Sequence, residues 1–170
     1  MKSEFAILGD CSGQTYVELL EFVAERSSSF YLVDQQNIPI SESAFLRSAL
    51  TFLHETRSSS EWPGTKLLGF PGELPRQASI HYFTISPESI RLLVETTDWL
   101  YGWQWSEGPC LPEDLGFIRA DGTVVLATVS HEHIAWLELE ESECADFVAL
   151  AKQLRLKIER VEPENRLQGI

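Results

Sequence analysis

Two histidines, His131 and His133, are separated by a single residue and form the pattern in this chain that is most like a set of metal ligands. Residues two positions apart on a β-strand point to the same side of the sheet, and paired imidazoles can hold a transition metal. Two ligands are fewer than such sites normally use. Further ligands must be brought in by the fold, from Cys110, Asp114, Cys144 or His81. The pair is a weak metal candidate, and partly buried, hydrogen-bonded histidines near a strand end are the alternative.

Aromatic residues occupy alternate positions in the segment 98–105, at Trp99, Tyr101, Trp103 and Trp105. If this segment is extended, the four rings lie on one side of a strand. Exposed rings of this kind stack on ligands or anchor protein interfaces, whereas buried rings fill the core between a sheet and its helices. The sequence leaves both interpretations open.

Residues for nucleophilic or acid–base catalysis do not follow a recognisable pattern. Cys11 lies in a turn-rich segment before a predicted helix, but no histidine near it in sequence can act as its base. The acids of the pairs Glu113–Asp114 and Glu140–Glu141 are adjacent, and adjacent side chains point apart on a regular strand or helix. We therefore predict no catalytic residues and no cofactor, and the sequence favours binding over an enzymatic function.

Charge gives the strongest functional signal. The chain has 13 Lys and Arg against 26 Asp and Glu, which gives a net charge of −13. Twelve of the acids but only one base, Arg119, lie between Leu92 and Ala151, so this segment alone carries −11. Such a segment repels phosphates, which argues against nucleic acids and anionic membranes as partners. A basic protein suits it, because complementary potentials accelerate encounter. A solvated acidic surface without any partner is the alternative.

These features together predict a small protein-interaction module that binds a basic partner, with an inhibitor or immunity-type protein as one form of it. The predicted aromatic anchors are Trp103, Trp105 and Trp136. The predicted acidic contacts are Glu107, Glu113, Asp114, Glu138, Glu140, Glu141 and Glu143. The alternative is a small-molecule-binding or metal-assisted enzyme that uses His131 and His133 beside the aromatic stripe. A third hypothesis is a plain structural domain with neither role, with or without self-association.

The elements that must position these residues indicate an α+β fold. Apolar spacing predicts three to four amphipathic helices, one of them over Ser41–His54. An Asp-Gly turn at Asp121–Gly122 predicts a β-hairpin over Leu115–Leu137, with its second strand extending through the histidines. Ser, Gly and Pro residues predict an irregular loop at about 57–78. The expected architecture is a mixed or antiparallel sheet packed against the helices.

Length and composition favour a single globular domain over residues 1–170. A chain of 19.3 kDa with 44% hydrophobic residues can bury one sizeable core. Its apolar runs fall far short of the roughly 20 residues that cross a bilayer, and its first residues do not fit an export signal. Three widely spaced cysteines predict reduced thiols. We therefore expect a cytoplasmic protein, while the oligomeric state stays open.

Overall fold

The computed structural model describes residues 2–105 and 110–161. This part of the chain contains ten strands and four α-helices, together with short 3₁₀ turns. The strands are β1 Lys2–Leu8, β2 Ser29–Asp34, β3 Leu53–Ser59, β4 Glu61–Trp62, β5 Thr65–Lys66, β6 Ala78–Thr84, β7 Glu113–Ile118, β8 Val124–Val129, β9 Ile134–Glu140 and β10 Lys157–Val161. The helices are α1 Gln14–Ala24, α2 Ala44–Ala49, α3 Pro87–Thr96 and α4 Glu141–Leu154.

Eight of the strands form one antiparallel sheet in the order β10-β1-β9-β8-β7-β2-β6-β3, and β4 pairs with β5 in a separate small hairpin. The predicted α+β class is therefore confirmed. The consecutive strands β7, β8 and β9 lie side by side, while β1 lies between the two last strands of the chain. None of the helices in residues 2–105 and 110–161 is both long and apolar enough to cross a membrane.

Alternation along the strands builds the main core. In β1, Phe5 and Ile7 are buried while the residues between them are partly exposed, as expected for a strand covered on one face. The helices lie on that covered face. Phe147 of α4 packs edge-on against Phe5, with ring centroids 5.4 Å apart, and also contacts Phe22 of α1. One apolar layer therefore joins the sheet to the helices.

A second, smaller apolar cluster lies on the other face of the sheet. It contains Tyr31 and Val33 of β2, Ala78 and Ile80 of β6, and Trp62 of the β4–β5 hairpin. Successive side chains of β2 point to opposite faces of the sheet. Because both faces are covered here, this strand is buried throughout. The hairpin lies within the segment predicted to be irregular, and it covers the centre of the sheet.

The predicted helix over Ser41–His54 is too long. Helix α2 ends at Ala49, and strand β3 begins at Leu53, which pairs with Phe83 of β6. The apolar spacing continues past α2, but the backbone of this stretch pairs with the edge of the sheet instead. Tertiary pairing here outweighs a local helical pattern.

Candidate functional site

The candidate site lies at one end of the sheet, where β2 ends, β7 begins and β8 passes into a turn. Three side chains meet there, Glu113, Asp114 and His131, and their ligand atoms all lie within 4.8 Å of one another. We call these three residues the carboxylate cluster, and we call this end of the sheet the acidic end.

Asp114 is fully buried and held at both oxygens. Its Oδ1 accepts a hydrogen bond of 2.8 Å from the backbone N–H of Ser130, and its Oδ2 accepts one of 2.8 Å from Nε1 of Trp62. Its backbone is left-handed, with φ of 53°. The pairing of β2 with β7 shifts register at this point. The prediction that Glu113 and Asp114 point apart is therefore wrong, because it assumed a regular strand.

Glu113 is half-buried beside Asp114. Its Oε2 accepts a hydrogen bond of 3.1 Å from Nε2 of Gln35, which follows β2. Burial raises the pKa of Glu113, and the negative charge of Asp114 raises it further. Burial also raises the pKa of Asp114, against the opposing effect of the hydrogen bonds from Ser130 and Trp62. Both carboxyls therefore ionise less readily in the folded protein than they would in water.

The carboxylate cluster has little positive charge of its own. Within the described ranges, no Lys or Arg nitrogen lies within 4.0 Å of either carboxylate. His131 is the basic group whose charge would favour their ionised forms. This imidazole is exposed, and it lies 3.5 Å from Oε1 of a further acid, Glu132. A cation that reached Glu113 would therefore meet a carboxylate without a Lys or Arg partner among the described residues.

The two histidines do not share a strand face. His131 lies in a 3₁₀ turn over Ser130–Glu132, which separates β8 from β9, and His133 follows it with a left-handed backbone, φ 55°. The ring of His133 stacks on Tyr101 at 5.2 Å and meets the edge of Trp99 at 5.0 Å. The predicted continuation of β8 through the histidines is wrong, because this turn breaks it. The fold brings His131 to Asp114 and takes His133 to the aromatic rings.

The aromatic segment is not an extended stripe. A 3₁₀ turn at Leu100–Gly102 sends Trp103 into the core, where it is 0% exposed and its Nε1 donates to the hydroxyl of Tyr16 at 3.0 Å. The prediction of Trp103 as a surface anchor is therefore wrong. Trp105 is 48% exposed. It follows Gln104, whose Nε2 donates to the carbonyl of Ser130 at 3.0 Å, so Trp105 is tied to the turn that carries the cluster.

Three other predicted acids lie at the opposite end of the sheet, where β9 passes into α4, and they have basic partners. Glu140 lies 3.8 Å from Lys2, Glu141 lies 3.4 Å from Arg160, and Glu143 lies 2.7 Å from Arg119. Glu143 also caps α4 by accepting from the N–H of Glu140. The acids of this half of the chain therefore do not form the single surface that their sequence positions indicated.

The last predicted contacts are Trp136, Glu138 and Glu107. Trp136 and Glu138 lie two positions apart on β9, on the sheet face away from the helices, and both are partly exposed. The ring of Trp136 lies against Gly64 of the hairpin, where a Cβ would come within 2.7 Å of it. Glu107 lies outside the described residues.

Cys11 does not have the character of a catalytic thiol. It is fully buried, and burial, with a smaller effect of Asp10, raises its pKa to about 12. The thiolate that nucleophilic catalysis needs is therefore almost absent near neutral pH.

Sequence reasoning missed the residues that fix the carboxylate cluster. Trp62 and Gln35 lie 52 and 78 positions away from the carboxylates that they bind. The Pro-Gly turn after Trp62 was a local signal for a hairpin, but nothing in the sequence places that hairpin over β7. Comparisons with protein families, curated proteins and solved structures find no match for this chain.

Proposed function

We propose that this chain is an interaction module that binds a basic protein in the cytoplasm, and that the acidic end of the sheet receives a Lys or Arg side chain of that partner. One observation carries the proposal: Glu113 and Asp114 form an adjacent carboxylate pair with no Lys or Arg partner in the described part of the chain. An inhibitor or immunity-type protein that neutralises a basic enzyme is the specific form of this role.

The hydrogen bonds around the carboxylate cluster support recognition of a cation. Asp114 is held by Trp62 and by the backbone of Ser130, and Glu113 is held by Gln35. The carboxylates are therefore already in place before a partner arrives, so less conformational entropy is lost on binding. Burial raises the pKa of both acids, and neighbouring negative charges add to it, from Asp114 for Glu113 and from Glu132 for Asp114; a bound cation would favour the ionised forms against these effects.

Trp105 supports the same surface. It is a large, half-exposed ring on the segment that Gln104 fastens to the turn of His131. Tryptophan is enriched among the residues that dominate interface energies, where a ring of polar contacts excludes water around it. A half-exposed aromatic residue next to Gln104, whose side chain bonds to the turn of the carboxylate cluster, fits the usual anatomy of a protein interface.

The test is capture of basic proteins from the native host by immobilised protein, comparing Glu113→Gln with Glu159→Gln. Both substitutions remove one negative charge, but Glu159 lies on the edge strand β10, which is separated from β7 by β1, β9 and β8. We expect Glu113→Gln to weaken capture of the specific partner about tenfold, as for loss of a charged contact worth roughly 1.4 kcal/mol.

The control variant Glu159→Gln should bind as the unmodified protein does. Replacing Trp105 with a photo-crosslinking residue should join the partner covalently to the chain, whereas the same replacement at Val148, on α4, should not. Equal weakening by both Gln variants, or a crosslink only from position 148, would show that net charge or another surface accounts for the capture.

A second candidate function is divalent metal binding at the same cluster, because one imidazole and two carboxylates converge within 4.8 Å. A Glu, Asp and His set suits zinc, manganese or iron, with positions left for water. Only His131 of the predicted histidine pair belongs to this ligand set.

Calorimetric titration with Zn²⁺ and Mn²⁺ separates the two candidates. Metal binding predicts a saturable heat signal with a stoichiometry of one ion per chain. This signal should be lost in His131→Ala and retained in His54→Ala, because His54 lies on β3, outside the ligand set. An absence of saturable binding to the unmodified protein would remove this candidate and leave the protein-binding proposal in place.

A further inference from the structure

We propose that the chain associates with itself head to tail, with the apolar loop of one copy seated in the groove between α1 and α3 of the next. The loop is the segment 67–77, which joins the β4–β5 hairpin to β6. The proposal is independent of the acidic-end function, because neither feature includes the carboxylate cluster.

The loop carries three large apolar side chains in solvent. Leu68 is 81% exposed, Phe70 is 76% exposed and Leu74 is 92% exposed. Single exposed apolar residues are common on protein surfaces, but three within seven residues form a cluster, and such clusters mark contact sites. A hydrogen bond from the N–H of Glu73 to the carbonyl of Phe70 closes a turn at the tip of the loop.

The groove is the matching feature on the helical face. It has a volume of about 640 Å³ and lies between Val17 and Ala24 of α1 and Ile90 and Val94 of α3, with Ile85 at its base. These side chains are partly exposed and apolar, and the charged residues Glu21, Glu25 and Arg91 line the same groove. A volume of this size lies in the range that accepts compact apolar ligands.

A chain cannot fill its own groove with its own loop. The loop ends where β6 begins, at Ala78, and the groove starts just after β6 ends, at Ile85. Seven extended residues separate the two points by roughly 20 Å. The loop also follows a hairpin that packs on the sheet face away from the helices. Contact between loop and groove therefore requires a second copy.

Charges at the two features are complementary. Arg76 lies at the end of the loop, and Glu21 lines the groove; neither forms an ion pair within the described residues. Arg91 of the groove wall is already paired with Glu95 at 3.6 Å, so the complementary pair rests on Arg76 and Glu21. Opposite charges around an apolar contact favour one orientation of docking. Because the loop follows a hairpin on the sheet face away from the helices and the groove lies between two helices, the contact is heterologous, and its repetition builds chains of copies.

Sedimentation equilibrium tests the proposal with the full chain. We expect a weight-average mass that rises above 19.3 kDa as protein concentration increases from about 10 µM to about 1 mM, as for a weak association. A mass of 19.3 kDa throughout this range would overturn the proposal.

Mixing two variants gives the sharpest readout. Leu68→Ser/Phe70→Ser keeps the groove and loses the loop contact, while Ile90→Glu keeps the loop and blocks the groove. Each variant alone should stay monomeric, and an equimolar mixture should form dimers but nothing larger, because one junction remains possible. Dimer formation in this mixture also shows that Ile90→Glu is folded. Val17→Glu, on the α1 side of the groove, provides a second variant that blocks the groove.

The matched control is Val148→Ser, which removes an equally apolar side chain that is 47% exposed on α4, outside both features. It should associate as the unmodified chain does. A loss of association in Val148→Ser as large as in the loop variant, or a mixture that stays monomeric with both groove variants, would contradict head-to-tail docking.

Discussion

Asp114 is the residue on which the acidic end depends. The protein keeps this fully buried carboxyl in place with two hydrogen bonds, from Trp62 and from the backbone of Ser130, rather than with a basic side chain. Glu113 beside it is only half-buried and is held by one hydrogen bond, from Gln35. Of the two, Glu113 is the carboxylate that can meet a partner directly.

This arrangement predicts a pH dependence of stability. Burial and the Asp114 charge raise the pKa of Glu113 above its unfolded value of 4.5. The folded state therefore holds this proton more tightly than the unfolded state, so stability falls as pH rises from about 4.5 through the raised pKa. Ionised Glu113 destabilises the fold near neutral pH, and protonated Glu113 does not.

Glu113→Gln keeps an acceptor for Gln35 and removes the charge. We expect its free energy of unfolding in urea to exceed that of the unmodified protein at about pH 7 and to match it at about pH 4. The exposed Glu159→Gln controls for the general loss of a negative charge. A gain at about pH 4 equal to that at about pH 7 would show that ionisation of the buried Glu113 is not the cause.

At the scale of elements, the centre of the sheet depends on a close approach between β2 and β7. The ring of Tyr31 lies over Gly116, where an added Cβ would come within 2.2 Å of the ring carbon Cζ. Only glycine at this position leaves room for this ring. The tyrosine in turn packs in the apolar cluster that the β4–β5 hairpin covers.

Gly116→Ala should therefore destabilise the protein by about 1–3 kcal/mol, as overpacking of a core does. The cost should be smaller when the same change is made in a Tyr31→Ala background, because the clash then disappears. Urea unfolding of the four proteins of this double-mutant cycle measures the coupling. Additive losses would mean that the ring yields without strain.

Elements with a regular pattern were predictable from the sequence, and elements shaped by distant contacts were not. The predicted helix that follows the turn-rich segment of Cys11 is present as α1, and it follows from apolar spacing alone. The turn at Ser130–Glu132 did not, because it depends on the bond between the Ser130 amide and Asp114, 16 positions apart. Trp103 was misplaced for a similar reason, since its partner Tyr16 lies 87 positions away.

At the scale of the whole molecule, the two ends of the sheet differ in how their acids are compensated. The end at α4 pairs Glu140, Glu141 and Glu143 with bases, whereas the carboxylate cluster at the acidic end has none among the described residues. The concentration of acids between Leu92 and Ala151 was visible in the sequence. The division of these acids between the two ends of the sheet was not visible in the sequence, because it depends on β9 running from one end of the sheet to the other.

The most direct test of cation recognition at the acidic end uses the five tryptophans as reporters in ¹⁵N NMR spectra. The Trp62 indole N–H bonds to Asp114, Trp105 follows Gln104, whose side chain bonds to Ser130 in the turn of the cluster, and the Trp103 indole N–H bonds to Tyr16 in the core. On titration with the captured basic partner, we predict that the Trp62 and Trp105 indole signals shift or broaden while the Trp103 signal stays in place. Unchanged Trp62 and Trp105 signals in a saturated complex would contradict binding at the carboxylate cluster.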